Sequence, residues 1–156
     1  MMKSLMIVSL GIIFSIFLTA TNLSAHCEIP CGIYEDSTRF YLISEDIATI
    51  EKSMDQITSL SATADKNYNQ IVRWITNKEA HADKLMEIVS QYFLTQRIAP
   101  VAPEDKAKYD EYLNKVSLLH QMLVAAMKCK QTTDKTHIET LKNLLAKFRE
   151  AYFKGK

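Results

Sequence analysis

Residues 40–57 read FYLISEDIATIEKSMDQI, and the buried-type side chains in that stretch are Phe40, Ile43, Ile47, Ile50, Met54 and Ile57. Their spacing alternates between three and four residues, which places all six on one stripe of a helix; a half-buried strand would alternate every second residue. Asp36 or Ser37 stands where a side-chain cap would open this helix. One amphipathic helix cannot hide such a stripe by itself, so the chain must supply partners for it.

Working outward, a polar break over residues 59–65 precedes a second helical pattern. Its apolar face is Ile71, Ile75, Ala82, Leu85, Val89 and Phe93, and the helix is expected to run until Ala99 meets Pro100. Pro100-Val101-Ala102-Pro103 is the clearest linker, and Pro103, Glu104 and Asp105 suit the start of a third helix. That helix is read with Tyr109, Leu113, Val116, Leu119, Leu123 and Met127 facing the core. Gln131-Thr132-Thr133-Asp134 reads as a turn. Thr136 and Glu139 then have capping-box spacing, and Ile138, Leu141, Leu145, Phe148 and Tyr152 line a last helix. The expected fold is all-α: an up-down-up-down four-helix bundle over residues 36–156.

Composition agrees with that reading. Of 156 residues only 3 are Gly and 3 Pro, too few for the many sharp turns of a sandwich or barrel. The 47% hydrophobic and 24% charged content is that of a globular chain, not a disordered one. Lys3 is the sole charge in residues 1–25, so the remainder carries 18 positive and 18 negative side chains. A neutral chain lacks the basic footprint of a nucleic-acid binder, and no nucleic-acid partner is expected.

Residues 1–25 have the layout of a secretory signal peptide: Lys3, an apolar run over 5–18, then Leu23-Ser24-Ala25 before the expected cut. About 14 apolar residues are too few for a bilayer, which needs roughly 20. His26 separates Ala25 from Cys27, against lipidation, and there is no twin-arginine pair. Signal peptidase is therefore an expected partner, with no membrane attachment after cleavage and a periplasmic or secreted destination.

Cleavage after Ala25 would make His26-Cys27-Glu28-Ile29-Pro30-Cys31-Gly32-Ile33-Tyr34 the mature start. A first-position histidine offers a metal its free amine and its imidazole. Cys27 adds a thiolate and a deprotonated amide, and Cys31 a second thiolate across a turn that Pro30 and Gly32 favour. Two nitrogens and two sulfurs in a plane suit Ni(II) or Cu(II) better than tetrahedral Zn(II), with the imidazole left for an axial position. Spacing alone equally permits a Cys27–Cys31 disulfide.

The string HCEIPCGIY resembles the hook of the nickel-containing superoxide dismutases, whose pattern is H-C-x-x-P-C-G-x-Y; every fixed position matches. A weaker similarity surrounds Gln91-Tyr92-Phe93. The resemblance implies a hook over residues 26–35 followed by a four-helix bundle, assembled as a homohexamer. It implies one nickel ion per subunit held by His26, Cys27 and Cys31, with Tyr34 screening the open face. His26 and Tyr34 are thereby the catalytic candidates. The implied reaction turns two superoxide ions and two protons into oxygen and hydrogen peroxide, nickel alternating between Ni(III) and Ni(II). Thiolate and amidate donors suit that cycle, because aqueous nickel does not readily become trivalent.

The resemblance departs at the support of the imidazole. Family members use a glutamate early in the first helix and an arginine from the second. Residues 41–43 hold no carboxylate, Glu45 being the nearest, and Asn77-Lys78-Glu79 replaces the arginine. Other readings of the chain remain: an exported nickel or copper carrier or sensor using the same hook, or a helical adaptor with disulfide-bonded cysteines. Cys129 reads as a helix thiol. The residues three before His81, His120 and His137 are Lys78, Ser117 and Asp134, so the Glu-x-x-His pairs of a di-iron bundle do not occur. Trp74, Tyr92, Tyr109, Tyr112 and Tyr152 read as packing residues, and Met122 and Met127 as core filler.

Overall fold

The computed structural model describes residues 35–154, and within them every regular element is helical. Helix α1 spans Asp36–Ala62. Helix α2 spans Tyr68–Glu87 and continues without a break into a π-helical segment, Ile88–Arg97. Helix α3 spans Lys106–Gln131 and α4 spans Thr136–Phe153. Each helix packs on its sequence neighbours and α4 closes back on α1, giving the expected up-down-up-down bundle. Antiparallel pairing shows in the cross-links between α1 and α2: as the α1 partner advances through Asp36, Asp46 and Ser53, the α2 partner retreats through Tyr92, His81 and Asn77.

The stripe that defines α1 is buried: Phe40, Ile43, Ile47, Ile50 and Met54 are 0–2% exposed, and Ile57, nearer the helix end, 8%. All five residues expected in the core from α4 are there, joined by Leu144. The other two faces differ from the sequence reading. On α2, Ile71 is half-buried and Ile75 38% exposed. The reason is length: Lys78 already meets the last carbonyls of α3, so earlier turns of α2 project past that neighbour. On α3 only Leu119 of the expected stripe is fully buried. The helix instead presents Leu118, Met122, Ala125, Ala126 and Cys129, leaving Leu113 and Met127 exposed. Small residues admit the close approach of neighbouring helices, which a count of large side chains misses. Met122 is core, and Met127 is not.

Helix ends were also partly different. The capping position of α1 is Glu35, not Asp36 or Ser37, and the Ser37 hydroxyl donates to the Glu35 carboxylate at 2.7 Å. Asn67 caps α2 by accepting from the Gln70 amide, and Asp105 caps α3 by accepting from the Lys108 amide. The α3 start therefore lies at Lys106, two residues past the acidic pair's first member. Thr136 and Glu139 do not form a capping box: the Thr136 amide is taken by Asp134 Oδ1, and Glu139 pairs with Lys142.

One end of the bundle is floored by aromatic rings. Phe40, Phe93, Phe148 and Tyr152 pack with centroids 4.9–5.6 Å apart, mostly tilted or edge-on as ring quadrupoles favour. This is the end at which α1 begins, directly after Tyr34 and Glu35 in sequence. No described helix is long and apolar enough to cross a membrane.

Candidate metal centre

His26, Cys27, Cys31 and Tyr34 lie outside the described residues, as do residues 1–25. The structure therefore describes the platform into which the motif leads. Among the described residues no group of three or more His, Cys, Asp or Glu could hold a metal ion, and His120 and His137 lie apart on the surface or half-buried.

At the platform, the Asp36 carboxylate receives three side chains from two other elements. Tyr92 donates to Oδ1 at 2.6 Å, Tyr152 donates to Oδ2 at 2.9 Å, and Arg97 Nε forms an ion pair with Oδ1 at 3.0 Å. Arg97 Nη2 also donates to the Tyr92 hydroxyl at 2.9 Å. Two guanidinium groups lie over the Tyr92 ring, Arg97 at 4.7 Å and Arg39 at 5.0 Å from its centre. Burial, then the hydrogen bond to Asp36, push the Tyr92 phenol above its ordinary pKa, so it stays protonated and donates.

The π segment makes this cluster. Residues five apart are about 140° apart around an α-helix. In i→i+5 bonding they come much closer around the axis, a pattern seen in the Ile98 amide on the Phe93 carbonyl and the Thr95 hydroxyl on the Ser90 carbonyl. Tyr92 and Arg97, five apart, are thereby brought onto one face. Sequence reading missed Arg97 because no α-helical period pairs it with Tyr92. Tyr92 and Tyr152 pack in the core as expected, but their hydroxyls also serve this cluster.

The residues considered as supports for the imidazole are placed differently. Glu45 is exposed, whereas the next residue, Asp46, turns inward and lies 2.7 Å from His81 Nδ1. Burial raises the Asp46 pKa against the opposing pull of His81. Asn77 donates to the Ser53 hydroxyl at 3.0 Å. Ser53 is about 25 Å along α1 from Asp36 at 1.5 Å per residue. Lys78, buried, donates to the carbonyls of Cys129, Lys130 and Thr132 at 2.7, 2.6 and 3.1 Å, satisfying the end of α3. Cys129 is a fully buried free thiol whose pKa burial pushes up to about 11, an inert group as its helix position suggested.

The family model for nickel-containing superoxide dismutase matches residues 21–156, taking in the motif and all four helices. No curated protein and no solved structure matches the chain. The chain belongs to the nickel-containing superoxide dismutase family. It is a nickel-dependent oxidoreductase with superoxide as substrate, which sets aside the carrier and adaptor readings.

Proposed function

We propose that this superoxide dismutase holds its nickel at a processed N-terminus, with the His26 amine and imidazole, the Cys27 amide nitrogen and thiolate, and the Cys31 thiolate as donors. The observation that carries the reading is the unbroken H-C-x-x-P-C-G-x-Y pattern within the stretch matched by the family model. The donor chemistry fits: two anionic sulfurs and an anionic nitrogen would stabilise nickel in its more oxidised state. When bound, nickel supplies one-electron chemistry, alternating between Ni(III) and Ni(II) so that one superoxide is oxidised to oxygen and the next reduced.

The chain's own residues then do the rest. Reduction of superoxide to hydrogen peroxide consumes two protons per turnover, and Tyr34 is the hydroxyl in the motif able to hold and orient one. Pro30 and Gly32 shape the turn that returns Cys31 to the metal. Residues 1–25 act as an export signal, and removal by signal peptidase creates the donor amine. Export places the enzyme in the periplasm or medium. The active assembly is a homo-oligomer, a hexamer by family resemblance.

Cys27→Ser and Cys31→Ser test the donor set. Each should lose nickel and superoxide turnover while far-UV circular dichroism of the bundle is unchanged. Stoichiometric nickel in either variant would reject the proposed ligands.

A further inference from the structure

Asp36 is the first residue of α1 and follows Tyr34 by two positions and Cys31 by five. Its carboxylate is only 20% exposed and is held from two other elements, by Tyr92 and Arg97 of the π segment and by Tyr152 near the end of α4. The aromatic floor of Phe40, Phe93 and Phe148 lies against the same side chains. Ser37 donates to Glu35, so the turn before the helix is tied as well.

We propose that Asp36, clamped by Tyr92, Tyr152 and Arg97, is a positioning residue that fixes where the metal-binding segment leaves the bundle. The inference rests on the proposed ligand set. Five residues of chain reach at most about 18 Å, so any movement of Asp36 adds directly to the volume that a donor five residues upstream can explore. A frayed first turn would lengthen the tether and enlarge that volume. Nickel binding would then also have to order that extra turn, and the metal would be held less well. The π geometry serves this purpose, since it is what brings Arg97 beside Tyr92.

The test compares nickel-loaded mature wild type with Asp36→Ala and Tyr152→Phe, the second removing one hydroxyl and keeping the ring in the core. Nickel release to excess EDTA is timed, and the nickel-free proteins are compared by far-UV circular dichroism. Asp36→Ala should release nickel about tenfold faster and Tyr152→Phe about threefold, as losing charge-assisted and single hydrogen bonds implies. Helical content of the nickel-free forms should match wild type, and the Ni(III) electron paramagnetic resonance signal of Asp36→Ala should broaden. Wild-type release rates in both variants would overturn the inference, leaving the cluster as a clamp on the helices alone. Cys27→Ser run alongside separates the two claims: if it still holds nickel, the ligand set itself is wrong, whereas loss of nickel there with unchanged release from Asp36→Ala removes only the positioning role.

Discussion

The two ends of this bundle use polar side chains for opposite purposes. At the end carrying the 63–67 and 132–135 connections, Lys78 satisfies backbone carbonyls at the close of α3, and Lys135 bridges Asp55 and Glu51 beside the start of α4. Those contacts complete helices, and any small bundle needs their equivalent. At the other end, Asp36, Tyr92, Arg97 and Tyr152 bond to one another, in contacts that close no helix end. A ten-residue π segment is kept there, although i→i+5 bonding is rare and the α-helix is the better-packed alternative. The costlier arrangement thus sits at the end that follows the H-C-x-x-P-C-G-x-Y string in sequence.

The largest effect should come from breaking the motif and sparing both ends. One extra residue ahead of His26 displaces the α-amine, and should abolish superoxide turnover while the thermal midpoint of the nickel-free bundle stays within error. Turnover near wild type would mean that the amine is not a ligand. Next comes the aromatic floor: Phe148→Ala removes a fully buried ring and should destabilise the bundle by about 3–5 kcal/mol, measured by urea unfolding. At the opposite end Lys78→Met should cost about 2–4 kcal/mol by leaving the α3 carbonyls short of donors, with nickel release unchanged because the change lies far from Asp36. If Lys78→Met loosened nickel as Asp36→Ala does, the contrast between the ends would fail.

The smallest effect belongs to the middle of the bundle. Asp46 faces His81 and Lys84 of α2 and lies beside Glu45 on its own helix. Because burial raises its folded pKa above the ordinary 3.8, the folded state binds more protons than the unfolded chain in that window. Stability contributed by Asp46 therefore falls as pH rises from about 3.8 through the raised value. The stability of wild type relative to Asp46→Asn should therefore fall as pH rises through that window, measured by urea unfolding at a series of pH values. A difference that instead rises with pH would show that the pair with His81, not burial, governs this carboxylate.

The legible parts of the sequence were those governed by large side chains in regular period. The α1 and α4 stripes were read residue by residue because Phe, Ile, Leu and Met repeat there without interruption. The α3 face was rotated in the reading because Ala125, Ala126 and Cys129 carry little apolar weight and yet define where helices touch. Helix length decided Ile75, which a periodic pattern cannot foresee: its turn of α2 overhangs α3. Asp36 or Ser37 suits a cap by its place at a helix start, whereas the capping position is Glu35 and the Asp36 carboxylate is tied to Tyr92, Arg97 and Tyr152. Arg97 was invisible because α periodicity was assumed where the backbone is π. The family was legible for a different reason: the H-C-x-x-P-C-G-x-Y string carries the resemblance that the family match over residues 21–156 bears out.

Native mass spectrometry of the protein from its own cells, reading the first residue and bound metal in one spectrum, tests the central claim most directly. The account predicts a chain beginning at His26 with one nickel per subunit. A chain beginning elsewhere yet carrying nickel and full turnover, or one with Cys27 and Cys31 joined as a disulfide and still active, would contradict it.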